Sequence, residues 1–345
     1  MLERISDKFD FRIERLIAQG GMGSVYDAIQ LGAEGFEKRV AIKALLPELS
    51  TNPDFIRMFI GEGKLVADLV HENIVQIYQL GQTSIGYYIV MEYVNGLSLH
   101  EFIQLHRKLR LTMPVELAVF ITSRIARGLA YAHSRQDRAG QPLNIVHRDV
   151  CPNNIMVTTE GLPKLGDFGI AKAANASMPF TDQWLVGKFV YMSPEQARRQ
   201  PVDFRADIYS LGLVLYELLA LVPAREDRLD DILKAAQEGH ANWSGLPQVH
   251  PDLLAILVRM LAVARDERYP ETAKLAYDLE YYIYHKGYGP TVVTLESYLR
   301  KNFPYLYRTA GPQLKTAHPV QGPTVMIADP DAVTVRAAGT VRDPP

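Results

Sequence analysis

Apolar and polar positions along this chain change their period once, and that change divides it into two regions. Before Gly96, short runs rich in β-branched and aromatic residues recur at Phe11 to Ile17, Val25 to Ile29, Arg39 to Leu45, Ile74 to Leu80 and Tyr87 to Met91, separated by glycine-bearing turns. Such runs predict the strands of a sheet. One helical pattern interrupts them, opening at Asn52-Pro53, where an amide side chain can cap the helix and proline takes its first position. Beyond Gly96 the apolar spacing becomes helical, most clearly over Val115 to His133, Ile208 to Leu221, Leu253 to Leu261 and Thr272 to His285. The expected architecture is α+β and two-lobed: a small N-terminal sheet lobe with one main helix, then a larger, mostly α lobe.

Smaller features complete the partition. Ser134 to Asn144 carries Asp137, Gly140 and Pro142 and reads as a polar turn. Pro290 to Phe303 has one more amphipathic pattern, expected to pack on the large lobe. After Tyr307 the aromatic residues stop and Pro, Thr and Ala dominate, a composition with too little apolar surface to offset the entropy of ordering. The expected division is a lead over 1–10, a small lobe over about 11–95, a large lobe over about 96–285, an appended helical segment over 286–307 and a disordered tail over 308–345.

With 345 residues, 48% of them apolar, the chain can bury a sizeable core. A net charge of -2, with both signs mixed along the sequence, argues against nucleic acid or an anionic membrane as partner. The single cysteine, Cys151, excludes an intrachain disulfide and suits a reducing compartment. Met1 to Asp10 lacks the apolar stretch of a secretion signal, and the longest apolar run, Ile208 to Ala224, is broken by Ser210 and Glu217 and falls short of a membrane span. A cytoplasmic protein is expected.

Four stretches carry chemistry. His147-Arg148-Asp149-Val150-Cys151-Pro152-Asn153-Asn154 sets a carboxylate and an amide five residues apart in a polar loop, and Asp167-Phe168-Gly169 adds a second carboxylate thirteen residues later. A base and two divalent-cation ligands are what transfer of a terminal phosphoryl group requires, because positioning and charge neutralisation dominate that reaction. Ala18-Gln19-Gly20-Gly21-Met22-Gly23-Ser24-Val25 lies between two predicted strands. Its glycines would let backbone N–H groups approach phosphate oxygens, although glycine between strands is also the commonest hairpin signal. Val40-Ala41-Ile42-Lys43 ends an apolar strand on a lysine, where an unpaired ammonium is costly to desolvate. Glu62 falls seven residues after Phe55 and three after Phe59, on the apolar face of the first helix, so the two charges are expected to meet. A snorkelling lysine and a solvated glutamate are the alternative.

These motifs resemble those of the bacterial, eukaryotic-like serine/threonine protein kinases, over roughly residues 10 to 285. The resemblance implies a protein kinase fold, ATP and Mg²⁺ as cofactors, and protein hydroxyl groups as acceptors. It implies Asp149 as the base, Asn154 and Asp167 as Mg²⁺ ligands, and Lys43, oriented by Glu62, on the α- and β-phosphates. ATP would lie against Ile17, Ala18, Gly20, Gly21, Met22, Gly23 and Val25, and against the hinge Met91-Glu92-Tyr93-Val94, with Met91 as gatekeeper and the backbone near Glu92 and Val94 meeting the adenine. The resemblance also pairs Glu195, in Met192-Ser193-Pro194-Glu195, with Arg268, and has Asp207 anchor the catalytic-loop backbone, a role compatible with a helix cap there.

Three positions depart from the family pattern. Ala18 replaces the first glycine of the phosphate loop, Cys151 replaces the lysine two residues after the base, and Lys188 replaces the threonine that follows a glycine in the activation segment. In the family the latter two positions face each other at the γ-phosphate. The expectation is that the Lys188 ammonium serves the phosphate while Cys151 makes room; a surface Lys188 beside an impaired loop is the alternative. Arg148 before the base implies control by phosphorylation of the activation segment, with Ser177 and Thr181 as candidates. Ser98 and Asn153 stand where arginine-directed kinases carry acids, so no strong preference for basic residues is expected. Thr324 with Ile327, and Thr340 with Asp343, have the spacing of ligands of phosphothreonine-reading forkhead-associated domains, with a plain linker as the competing reading. An active, autophosphorylating serine/threonine kinase is the first reading. A catalytically silent kinase-like scaffold that binds partner proteins, prompted by Ala18, Cys151 and Lys188, is the second.

Overall fold

The strand-forming runs of the first region build a five-stranded antiparallel sheet in the computed structural model, which describes residues 10–20, 23–83, 86–168, 189–225 and 229–307. Strands β1 (Asp10–Gln19), β2 (Gly23–Leu31), β3 (Glu37–Leu45), β4 (Ile77–Thr83) and β5 (Gly86–Glu92) lie in the order β1-β2-β3-β5-β4. Side-chain alternation sorts the two faces. Val40 and Ile42 of β3 pack with Phe11, Ala28 and Val90, whereas Leu45 packs on the other face with Ile89 and Phe59. Phe59 belongs to α1 (Pro53–Val66), whose first turn is held by Asn52 accepting from the Asp54 N–H at 2.9 Å. Lys43 shares the Leu45 face of β3 and therefore points to the side that α1 covers.

The strand expected from Ile74 begins instead at Ile77. Ile74 makes a parallel bridge to Leu165 of the other region: the Val75 N–H donates to the Leu165 carbonyl at 2.9 Å, and the Leu165 N–H to the Asn73 carbonyl at 2.8 Å. These backbone bonds join the two regions beside the cleft.

The second region holds α2 (Leu99–Leu109), α3 (Val115–His133), α4 (Pro194–Ala197), α5 (Arg205–Ala220), α6 (Leu229–Glu238), α7 (Pro251–Met260), α8 (Thr272–Tyr284) and α9 (Val292–Asn302). A small antiparallel sheet of β6 (Gly96–Ser98), β7 (Ile155–Thr158) and β8 (Pro163–Leu165) faces the cleft. α5 is buried on every side from Ala206 to Leu219, which accounts for its being apolar all round apart from Asp207, Ser210 and Glu217. No helix among the described residues is long and apolar enough to cross a membrane. Glu217 sits inside α5, accepts a hydrogen bond from the Tyr191 hydroxyl, and is pushed above the ordinary carboxylate range by burial.

α9, expected as an appended helix packed on the large lobe, contributes Leu295 and Leu299, with Phe303 just beyond it, to the same core as α3 and α5. His106 of α2 lies buried beneath it. Its Nδ1 is 2.7 Å from the Phe102 carbonyl and its Nε2 is 2.8 Å from the Tyr298 hydroxyl. A carbonyl only accepts, so Nδ1 carries the proton and Nε2 accepts from Tyr298. The polar turn expected after α3 is built on Asp137, whose Oδ1 accepts from the N–H groups of Ala139 and Gln141 at 2.8 and 2.9 Å. Residues 1–9 of the lead, whose last residue Asp10 opens β1, and the tail, with Thr324 and Thr340, lie outside the described residues.

Candidate active site

The loop from His147 to Asn154 is held from beneath by one buried carboxylate. Asp207 accepts the backbone N–H groups of His147 and Arg148, both at 2.7 Å, and lies 2.8 Å from His133 Nε2. Phe204 occupies the cap of α5 and no side chain caps that helix, so Asp207, the third residue of the helix, is an anchor and the helix-cap reading is corrected. Arg148 takes a left-handed φ of 63°, a conformation that costs a non-glycine residue about 1–3 kcal/mol. It is held there on both sides, by its N–H on Asp207 and by the Gln196 amide donating to its carbonyl at 3.0 Å.

His147 carries the constraint onward. Its Nδ1 accepts the Asp149 N–H at 3.2 Å, and its Nε2 donates to the Gly166 carbonyl at 3.0 Å. Asp149 is thereby tied to the residue before Asp167. The Asn154 amide donates to the Asp149 carbonyl at 2.8 Å, and the Gly166 N–H donates to the Asn154 carbonyl at 2.8 Å. Asp149, Asn154 and Asp167, separated in sequence, are thus clustered by short polar bridges.

Across the cleft, Lys43 Nζ lies 2.9 Å from Asp167 Oδ1. The Lys43 ammonium holds the Asp167 carboxyl below the ordinary carboxylate range, against an opposing effect of burial. Asp167 has a left-handed φ of 50°. Val66, Val75, Ile89, Met91 and Phe168 line the apolar recess behind this pair. At the mouth, Ile17 falls in the register shift between Leu16 and Ala18, Ala18 pairs with Val25 at the end of the β1–β2 hairpin, and the Gly20 N–H donates to the Gly23 carbonyl at 2.9 Å. Glu62 falls within α1, but its side chain, and with it the expected pairing to Lys43, lies outside the described residues. So do Gly21, Met22, Ser177, Thr181 and Lys188. Among the described residues no group of three or more side chains forms a metal cage. One amide and one carboxylate fit Mg²⁺, which keeps several waters and takes substrate phosphate oxygens.

Other charges that sequence reasoning passed over shape the cleft. Lys164 of β8, only 8% exposed, reaches the Glu92 carboxylate at 3.0 Å, and that carboxylate also accepts the Gln76 N–H at 3.2 Å. The Glu92 N–H is itself donated to the Gln76 carbonyl at 2.8 Å, whereas Val94 lies outside the strand ladder. Asp27, buried in β2, is gripped by Arg39 at 2.6 and 2.9 Å and by Arg15 at 3.2 Å. The Arg39 guanidinium stacks 3.9 Å over Tyr93 of the hinge and, by its hydrogen bonds, holds the Asp27 carboxyl below its usual range. A charged residue inside an apolar strand, the signal that exposed Lys43, was present at Asp27 and Lys164 as well.

In the large lobe, Glu195 and Arg268 form a buried two-pronged ion pair at 2.7 and 2.9 Å. Ser98 caps α2 by accepting the Glu101 N–H at 3.1 Å, and its hydroxyl donates to the Glu101 carboxylate at 3.0 Å. A negative charge therefore stands beside a position that reads as neutral in sequence. Asn153 belongs to the single turn Pro152–Asn154 that follows Cys151.

The comparisons agree with this geometry. A family model described as protein kinase domain matches residues 11–281. The chain is 40% identical over 293 residues to the tyrosine-protein kinase MasK of Myxococcus xanthus, a match covering 84% of this chain and 45% of that protein. It is 40% identical over 217 residues to the serine/threonine-protein kinase PrkC of Bacillus subtilis, covering 63% and 31% respectively. The chain thus spans less than half the length of these relatives. The crystal structure of the PknI kinase domain of Mycobacterium tuberculosis superposes with a TM-score of 0.56 at 26% identity, covering 78% of this chain and 95% of that one. With most of its length matched and a small sheet lobe set over a helical one, this chain belongs to the protein kinase domain family.

Proposed function

We propose that the chain transfers the γ-phosphate of ATP to serine or threonine hydroxyls of proteins, its own included. The observation that carries this reading is the 2.9 Å contact of Lys43 with Asp167, made beside a loop whose Asp149 and Asn154 are already cross-tied. Asp149 takes or orients the proton of the acceptor hydroxyl. That oxygen attacks the γ-phosphorus as the bond to the β–γ bridging oxygen breaks, and ADP leaves. Lys43, oriented by Glu62, holds the α- and β-phosphates. Because the Asn154 amide nitrogen is committed to the Asp149 carbonyl, its oxygen is the atom left to meet a cation. Lys43 keeps Asp167 ionised for the same purpose. Bound Mg²⁺ would neutralise charge on the phosphates. Ile17, Ala18, Gly20, Gly21, Met22, Gly23 and Val25 cover the phosphates and sugar, and Glu92 and Val94 meet the adenine. Lys188 in place of the missing catalytic-loop lysine, control through Ser177 or Thr181, and phosphothreonine readers at Thr324 or Thr340 rest on sequence alone. A cytoplasmic location rests on the lone cysteine.

One observation favours a second acceptor: the relative MasK is named a tyrosine kinase. Incubating the purified chain with labelled ATP and Mg²⁺, then identifying the labelled amino acids, separates the two. Phosphoserine or phosphothreonine is expected. Phosphotyrosine alone would move the acceptor to the second class, and nucleotide binding without transfer would leave the silent scaffold. Asp149→Asn should lower transfer by about a hundredfold or more, and activity near wild type in that variant would overturn the assignment of the base. Lys188→Met should cripple transfer if its ammonium serves the phosphate.

A further inference from the structure

We infer that Tyr307 is a positioning residue for the nucleotide, acting through the β7–β8 turn on the chain that leaves the hinge; this rests on the proposed seating of adenine against Glu92 and Val94. The Tyr307 hydroxyl donates to the Thr159 carbonyl at 2.6 Å. Thr159 donates its own N–H to the Asn95 carbonyl at 2.8 Å, and its hydroxyl accepts from the Asn95 amide at 3.1 Å. Asn95 follows Val94 directly. Hydrogen bonds therefore pin the peptide units on both sides of Thr159, one toward the end of the described chain and one toward the hinge.

Close packing makes the linkage stiff. A Cβ at Gly96 would lie 2.0 Å from the Val157 carbonyl oxygen, so the strand leaving the hinge can approach β7 only as glycine. At Gly161, whose φ is +81°, a Cβ would lie 2.1 Å from the Val292 carbonyl oxygen of α9. The β7–β8 turn is pressed between the hinge exit and α9. α9 itself is seated in the core by Leu295 and Leu299 and by the contact of Tyr298 with His106. The Arg300 guanidinium stacks 4.0 Å from the Tyr307 ring and fixes its orientation. Tyr307 thus has a rigid anchor behind it and one polar atom aimed at the turn. The matched family region ends at residue 281, so this linkage uses residues outside it.

The consequence is a specific kinetic signature. Tyr307→Phe keeps the ring under Arg300 and removes only the donor. Thr159 then loses one restraint, and the hinge must be ordered when the nucleotide binds, which weakens binding without touching the transfer step. In the full chain, KM for MgATP in autophosphorylation should rise about three- to tenfold, with kcat at saturating MgATP and the thermal midpoint close to wild type. Hydrogen exchange at the Thr159 amide should quicken. Tyr305→Phe, a half-exposed neighbour outside this linkage, should change neither. Val94→Pro, which deletes a hinge N–H, reports on the adenine seating separately. If Val94→Pro leaves KM for MgATP unchanged, the seating itself is wrong. If Val94→Pro raises KM but Tyr307→Phe does not, the seating stands and the linkage is refuted. A Tyr307→Phe protein that loses thermal stability and kcat together, at constant KM, would refute it equally, as a purely structural contact.

Discussion

A single carboxylate can decide the geometry of a whole loop when it is buried and its acceptors are all used. Asp207 is fully buried and accepts two backbone N–H groups through its two oxygens. Asp207→Asn is nearly isosteric but turns one acceptor into a donor facing an N–H, leaving a buried donor unsatisfied at about 1–3 kcal/mol. Transfer should fall about tenfold or more while KM for ATP changes little, because the damage falls on the loop bearing Asp149; steady-state kinetics of the variant would check this. Residues whose chemistry conflicts with their local pattern were legible at this scale, as Lys43 at the end of an apolar strand and the polar cluster around Asp149 show. The same signal stands at Lys164, but its partner Glu92, 72 residues away, was not legible, because spacing does not say which distant carboxylate meets that ammonium.

At the scale of elements, periodicity located helices well and strand ends poorly. Val115 to His133 matches α3 at both ends, since apolar spacing persists over its whole length. Ile74 reads as strand but spends its backbone on a bridge between the regions, which no local pattern encodes. α2 was missed although Ser98 and Glu101 form a capping box, a signal that needs only two residues at the right spacing. α1 carries a testable weakness in Gly61 and Gly63. A Cβ at Gly61 meets nothing within 4 Å, and one at Gly63 meets only ordinary contacts with Leu80 and Ile89, at 3.4 Å or more. Gly61→Ala and Gly63→Ala should each strengthen the helix by about 1 kcal/mol and raise the thermal midpoint. If α1 orders only on activation, the double variant should also show higher basal turnover, and a stabilised protein with unchanged turnover would refute that idea.

For the whole molecule, the interior of the large lobe includes a histidine that folding keeps neutral. Burial pushes the His106 imidazole below its ordinary range, so below about pH 6.5 the unfolded chain takes up a proton that the folded one resists. Its contribution to stability is complete above that pH and is lost as pH falls. The thermal midpoint of the wild type should drop more between about pH 7.5 and pH 5.5 than that of His106→Gln. Equal slopes would show that another group, such as His71, which burial lowers in the same direction, carries the effect. By itself the sequence determined the two-lobed plan, the main helices and the reactive residue types, because periodicity, capping and out-of-place charge are local properties of a chain. Only the tertiary structure decided that Asp207 caps no helix but takes two loop N–H groups, that Glu92 answers Lys164 and that Tyr298 of α9 meets the buried His106. Each of those depends on which distant side chain arrives at hydrogen-bonding distance, and spacing along the chain carries no record of that.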